Sequence, residues 1–189
     1  MASPAFGSAL LLVHLLRDAA PVRENVALTH ALARLRTVTD AEEADRLDTT
    51  IWRLWCAAGT LRAVRELTTA LQCMAADDMG NALSALDKAI AADPDFAEAW
   101  NRRAMVHFLN GDNELAARDI ARVLLLEPRH YGALSGLGQV LLQEGDRAGA
   151  LTAFEAAMAY NPHLPSLRAI VERLRVAGPD GRSSRSLLT

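Results

Sequence analysis

The sequence predicts an all-α chain built around three stacked helix pairs, and two observations carry that expectation. Of its 189 residues, 36 are Ala and 30 are Leu while only 5% are aromatic. This bias favours the leading helix formers over the β-branched and aromatic residues that suit strands. The second observation is a period. Pro94, Pro128 and Pro162 stand 34 residues apart, and each follows a polar residue: Asp93, Glu127 or Asn161. Aligning on these prolines brings other columns into register: Ala82, Ala116 and Ala150; Leu86, Ile120 and Phe154; Ala89, Val123 and Ala157. Small residues recur at Ala70, Ala104 and Gly138, and acids at Asp78, Asp112 and Asp146.

Taken from the N-terminus, residues 1–22 form an apolar segment. The run Ala5 to Leu16 has the length of a signal-peptide core and is followed by Ala19, Ala20 and Pro21. No Lys or Arg precedes it, and Arg17 and Asp18 stand where a cleavage site takes small residues. Two alternatives stay open: the leader of a periplasmic or otherwise exported protein, or a capping helix on a cytoplasmic one. Residues 23–60 carry two helical patterns, Leu28, Leu32 and Leu35, then Leu47, Ile51, Leu54, Trp55 and Ala58. Stepping back 34 residues puts Asp48 in the small column and Thr60 in the proline column. This pair is therefore an atypical cap or a degenerate repeat.

Residues 61–162 hold the three units, about 61–96, 97–130 and 131–162, with helices expected near 61–76 and 79–92, 96–110 and 113–126, and 130–144 and 147–160. The small columns let paired helices approach closely, and Leu86, Ile120 and Phe154 fill the space between them. Gly111-Asp112 and Gly145-Asp146 suit a tight turn in which Gly ends one helix and Asp caps the next. The prolines end each second helix, because the residue before a proline is pushed out of the helical region. Asp95 and Glu98 have the spacing of a capping box. Leu164, Leu167, Ile170, Val171 and Leu174 give residues 163–177 the stripe of a capping helix, and residues 178–189 read as a disordered tail.

Composition and spacing argue against several functions. A net charge of −3 makes no electrostatic case for nucleic acid. The longest apolar run is shorter than the roughly 20 residues a membrane-spanning helix requires. Of 20 basic residues 19 are Arg, a skew expected of GC-rich coding. Cys56 and Cys73 are too few for a zinc cluster and read as buried free thiols. His14, His30, His107, His130 and His163 are scattered, without metal-ligand spacing, and no Gly-rich phosphate loop follows a strand. The expectation is no metal, no cofactor and no catalytic residues, hence no enzyme.

The 34-residue register and its columns resemble the tetratricopeptide repeat. That resemblance implies an α-α superhelix with N- and C-terminal capping helices and a concave groove, lined by the first helix of each pair, that binds a protein or peptide partner. The implied groove residues are Val64, Leu67, Leu71 and Met74, then Glu98, Asn101, Arg102, Met105 and Phe108, then Ser135, Gln139 and Leu142. Chaperone-binding members grip a terminal carboxylate with Lys, Arg and Asn. Here the matching positions are Leu67, Leu71, Arg102, Gly132 and Gly136, so that ligand is not expected. The runs AEAWNRRA at 97–104 and LEPRHYGALSGLG at 126–138, with Ile51 to Trp55 upstream, are similar to a small bacterial subfamily. Within these runs Arg102, Arg103, Arg129 and His130 suggest a cationic anchor for a partner carboxylate. The competing reading pairs Arg102 or Arg103 with Glu98 or Asp119 while Trp100 packs between units. At the level of function, the first reading is an interaction module. The alternative is an assembly subunit whose groove is filled by its own N-terminal helices or by a second copy in a homodimer.

Overall fold

A computed structural model describes residues 4–16 and 19–177, and every regular element among them is an α-helix. In chain order these are α1 (Pro4–Leu15), α2 (Val26–Leu35), α3 (Ala41–Cys56), α4 (Leu61–Ala75), α5 (Met79–Ala92), α6 (Ala97–Leu109), α7 (Asn113–Leu126), α8 (Tyr131–Gln143), α9 (Arg147–Tyr160) and α10 (Pro165–Ala177). The six helices from α4 to α9 lie within a residue or so of the predicted spans. The tail expected from residue 178 lies outside the described residues.

Three pairs, α4 with α5, α6 with α7 and α8 with α9, make the most extensive helix contacts. They stack in sequence order through α5 on α6 and α7 on α8, and α10 closes the end by packing on α9. Leu167, Val171 and Leu174 are its buried stripe. The corner glycines explain the turns. Gly111 and Gly145 both have φ of 82°, while the first corner places Asp77 at φ 59°, a region costly for residues with a Cβ. Asp78 and Asp146 then accept hydrogen bonds from the backbone of Asn81 and Gly149, as N-caps should; Asp112 makes no such bond.

The small column has a packing reason. A Cβ at Gly138 would lie 2.3 Å from the Phe154 ring. The two other units have Ala in this column, Ala70 and Ala104, and in the register position of Phe154 they have the slimmer Leu86 and Ile120. Bulk in one column is matched by a missing methyl in the other.

The expected capping box at Asp95 does not form. Helix α6 starts at Ala97 with Phe96 as a cap that makes no side-chain bond. Asp95 instead pairs with Arg122 at 3.0 Å, and Glu98 turns into the core. Both carboxylates that a capping box would use are thus bonded elsewhere, Asp95 to Arg122 and Glu98 to Arg102 and His130.

The N-terminal helices wrap the stack rather than extend it. Helix α1 packs mainly on α7, burying Phe6 and Ala9. Helix α2 packs on α3 and touches α9, and α3 in turn touches α6. This arrangement satisfies the polar column before the prolines, whose members Asp93, Glu127 and Asn161 are all buried. Asp93 takes both guanidinium nitrogens of Arg23 (2.6 and 2.8 Å) and the Thr60 N–H. Glu127 holds Arg129, which also donates to Thr29 of α2. Asn161 donates to Asp48 of α3 at 2.9 Å. Each corner between units is thus tied, directly or through one residue, to the N-terminal segment.

Candidate concave interaction site

The first helices of the pairs, α4, α6 and α8, form one face of the stack, and α3 runs across it. Its start lies beside Leu164 and Arg168 at the α10 end, and its last turn, with Cys56, faces Val64, Leu67 and Leu71 of α4. Between these ends α3 meets the N-terminal turns of α6 and α8. The Tyr131 hydroxyl donates to Asp48 at 2.6 Å. Trp52 lies against the bare backbone of Gly132, where a Cβ would come within 2.6 Å of the indole, and the Arg102 guanidinium stands 5.1 Å over the same ring. Trp55 stacks flat on His130, with ring centroids 3.9 Å apart.

Beneath α3 sits a buried polar cluster. The Ala133 N–H donates to Nδ1 of His130, so the ring proton is on Nε2, which donates to Glu98 at 3.0 Å. Glu98 also accepts from Arg102 (2.5 Å) and Asn101 (3.1 Å). Glu98 and His130 are both fully buried. Trp55 Nε1 is buried in the same region with no hydrogen-bond partner among the described residues. Burial and the bond to Asp48 push the Tyr131 hydroxyl well above the ordinary phenol range. Burial also pushes the Cys56 thiol up, which keeps it protonated at neutral pH. Cys56 and Cys73 are both free.

The part of the face that α3 leaves uncovered is a pocket of about 440 Å³. Asn101, Arg102, Met105 and Phe108 of α6 and Ser135 and Gln139 of α8 line it, joined by Asp48 and Trp52 of α3. Six of the expected groove residues therefore meet in one cavity. Leu67 and Leu71 face α3 instead, with Leu67 buried. Met74 packs half-buried on the core of the first pair, and Leu142 half-buried on the main core. Glu98 is inside. Asp48, Trp52 and Gly132 were not among the expected site residues. Asp48 had one sequence signal, its misfit in the small column.

The four residues of the expected cationic anchor are not one patch. Arg102 and His130 share Glu98. Arg103 makes a bidentate bond to Asp119 (2.8 Å each) and a further bond to Asp87, with its guanidinium 4.7 Å from the Trp100 ring. It thereby joins α5, α6 and α7, and the two acids raise its already high pKa. Arg129 is held by Glu127 at the corner. A carboxylate arriving from a partner would have to displace these internal ones. Among the described residues no group of three or more His, Cys, Asp or Glu is placed to hold a metal ion, and no helix is long and apolar enough to cross a membrane.

This geometry defines an α-solenoid of stacked helix pairs with a partly covered concave face. The chain carries tetratricopeptide repeats: residues 74–125 and 110–165 match the model of that family. A TPR repeat-containing protein of Rhizobium etli is 46% identical over 81 residues, which are 43% of this chain and 40% of the relative. The cell division cycle protein 27 homolog of Caenorhabditis elegans is 32% identical over 135 residues, 71% of this chain and 15% of that protein. The matches thus span 40% of the first relative and 15% of the second. Among solved structures, the first TPR of Spaghetti (RPAP3), bound to an HSP90 peptide, aligns with a TM-score of 0.57 at 18% identity, covering 62% of this chain and 98% of that one. At that identity the likeness speaks for the fold alone.

Proposed function

We propose that this protein is a non-enzymatic interaction module that holds a peptide or helix of a partner protein on its concave face. The observation that carries this reading is the open pocket between α6 and α8. It offers an apolar floor (Met105, Phe108) flanked by hydrogen-bonding groups (Asn101, Ser135, Gln139), the mixture suited to an amphipathic segment. Met105 is 46% exposed and Leu109, which lines the same pocket, 56%, so its apolar floor is contiguous and open to solvent. The RPAP3 structure of the same fold holds a peptide, and that role is carried to this chain only as part of the proposal.

The test is affinity capture from the host with the immobilised full chain. Met105→Glu combined with Gln139→Arg should strip the captured partners, whereas Lys88→Glu on the opposite face, an exposed position, should retain them. Retention by the concave variant would contradict the reading. A second reading, a structural subunit whose groove is occupied by its own chain, is favoured by the position of α3. Light scattering of the full chain and of the chain substituted Trp52→Ala and Trp55→Ala, the two rings that seat α3 on the repeats, addresses it, because self-assembly through released apolar surface or through a second copy changes the mass.

A further inference from the structure

We infer that α3 is a tethered ligand of the concave face, and that the partner competing for its seat is an amphipathic helix carrying a carboxylate and two aromatic rings at the spacing of Asp48, Trp52 and Trp55. The inference rests on the concave face being the partner surface. It adds what the partner looks like and what it must displace.

The receptor groups for α3 belong to the repeats. Tyr131 and Asn161 both donate to Asp48, so a carboxylate at this position is read by two donors on different elements. Four residues on, one helical turn, Trp52 reaches the backbone of Gly132, a site that accepts a flat ring and rejects a Cβ on the receptor side. Three residues further, Trp55 covers the His130 ring. These three positions fall on one face of a helix. The opposite face of α3, with Glu42, Asp45, Arg46, Thr49 and Arg53, is exposed. Helix α3 therefore meets the repeats as a docked amphipathic helix does, through one stripe of side chains. Its seat also borders the open pocket, which Asp48 and Trp52 help to line, so a helix with larger side chains next to these two positions would gain contacts with Met105 and Phe108.

The fit of α3 has one defect. The Trp55 Nε1–H is buried with no acceptor among the described residues, and a buried unsatisfied donor weakens any complex that contains it. A helix with Phe at this position keeps the ring and loses the orphaned donor. Tethering compensates α3 for the defect by raising its effective concentration, and an untethered competitor does better without it.

The probe is a fluorescent peptide of residues 40–57, with a Trp55→Phe version and a Trp52→Ala/Trp55→Ala version, titrated by anisotropy into full-length protein. In the chain substituted Trp52→Ala and Trp55→Ala, the tethered copy is unseated and the receptor groups are intact. This chain should bind the native peptide at least about tenfold more tightly than wild type does, since wild type must first release α3. Gly132→Leu added to it should abolish binding, the Trp55→Phe peptide should bind severalfold more tightly than the native one, and the doubly substituted peptide should not bind. Absence of native-peptide binding to the folded, unseated chain overturns the inference. Should the doubly substituted chain fail to fold, Asp48→Ala replaces it, and hydrogen exchange on the wild type supplies a second readout. Exchange of α3 amides while α6 and α8 stay protected supports release; exchange of α3 only on global unfolding overturns it. The two readings separate cleanly. Peptide failure with partners still lost from Met105→Glu/Gln139→Arg sinks only the tethered ligand. Peptide binding with partners retained by that variant sinks the interaction surface on which the inference rests.

Discussion

The Trp55 indole lies flat on the imidazole of His130, with 3.9 Å between centroids and 11° between planes. One ring of the second helix pair's corner thus serves three contacts at once: it stacks on α3, caps α8 through Ala133 and bonds Glu98 of α6. The joint between the N-terminal segment and the repeats passes through it.

His130→Ala removes the cap and leaves the buried Glu98 one partner short. The expected loss is about 2–4 kcal/mol, from a helix cap and an unsatisfied buried acceptor. His130→Asn should recover roughly 1 kcal/mol of it by restoring the cap alone. Urea denaturation of the three proteins measures both.

Gly138→Ala forces a methyl into the Phe154 ring and should cost about 1–3 kcal/mol. The neighbouring unit, with Ala104 and Ile120 in the same two columns, names the remedy. Phe154→Ile added to Gly138→Ala should yield a protein more stable than the Gly138→Ala single variant. A double-mutant cycle in urea checks this, and purely additive losses would refute the column-matching explanation.

Asp77 holds the left-handed conformation that Gly supplies in the other two corners. It is exposed, so replacement removes little packing. Asp77→Gly should raise stability by roughly 0.5–1 kcal/mol, and Gly145→Asp should lower it by about as much, both seen as shifts of the thermal midpoint.

The Arg23 guanidinium holds the Asp93 carboxyl below the usual carboxylate range; burial opposes this shift, and the Thr60 N–H adds to it. A folded pKa below the unfolded one means that the contribution is complete above about pH 5 and is lost as pH falls through the folded value. The stability advantage of wild type over Asp93→Asn should therefore be full at pH 7 and shrink steadily below about pH 4. Arg23→Ala at pH 7 should cost about 1–2 kcal/mol, less than a fully buried pair because Arg23 itself is 43% exposed. Chemical denaturation across that pH range reads both.

The three helix pairs were legible because their determinants repeat: Gly111 and Gly145, Pro94, Pro128 and Pro162, and the columns of Ala and of Leu, Ile and Phe recur at one spacing and act locally. The seat of α3 was not legible. Its contacts join Asp48 to Tyr131 and Asn161, 83 and 113 residues away, and nothing periodic marks them. Asp48 read as a flaw in a repeat when it is the bonded centre of a docked helix. The capping box failed for a related reason. Glu98 has the spacing for a cap, but it turns inward to Arg102, four residues on, and to His130, 32 residues on. Arg103 and Arg129 looked like free cations because the pattern of Arg is visible along the chain and the pairing with Asp119 and Glu127 is a matter of folding. The pocket between α6 and α8 lies between these cases: the repeat register identified its Asn101, Met105, Phe108, Ser135 and Gln139, and only the fold adds Asp48 and Trp52.

The position of α3 over the concave face underlies both the proposed surface and its competitor, and it is open to direct measurement. In nuclear Overhauser spectra of the full chain, the Trp52 indole protons should show strong cross-peaks to the Gly132 Hα protons, and the Trp55 ring protons to those of His130. A helical α3 without these cross-peaks, its indoles in contact with solvent alone, would contradict the account.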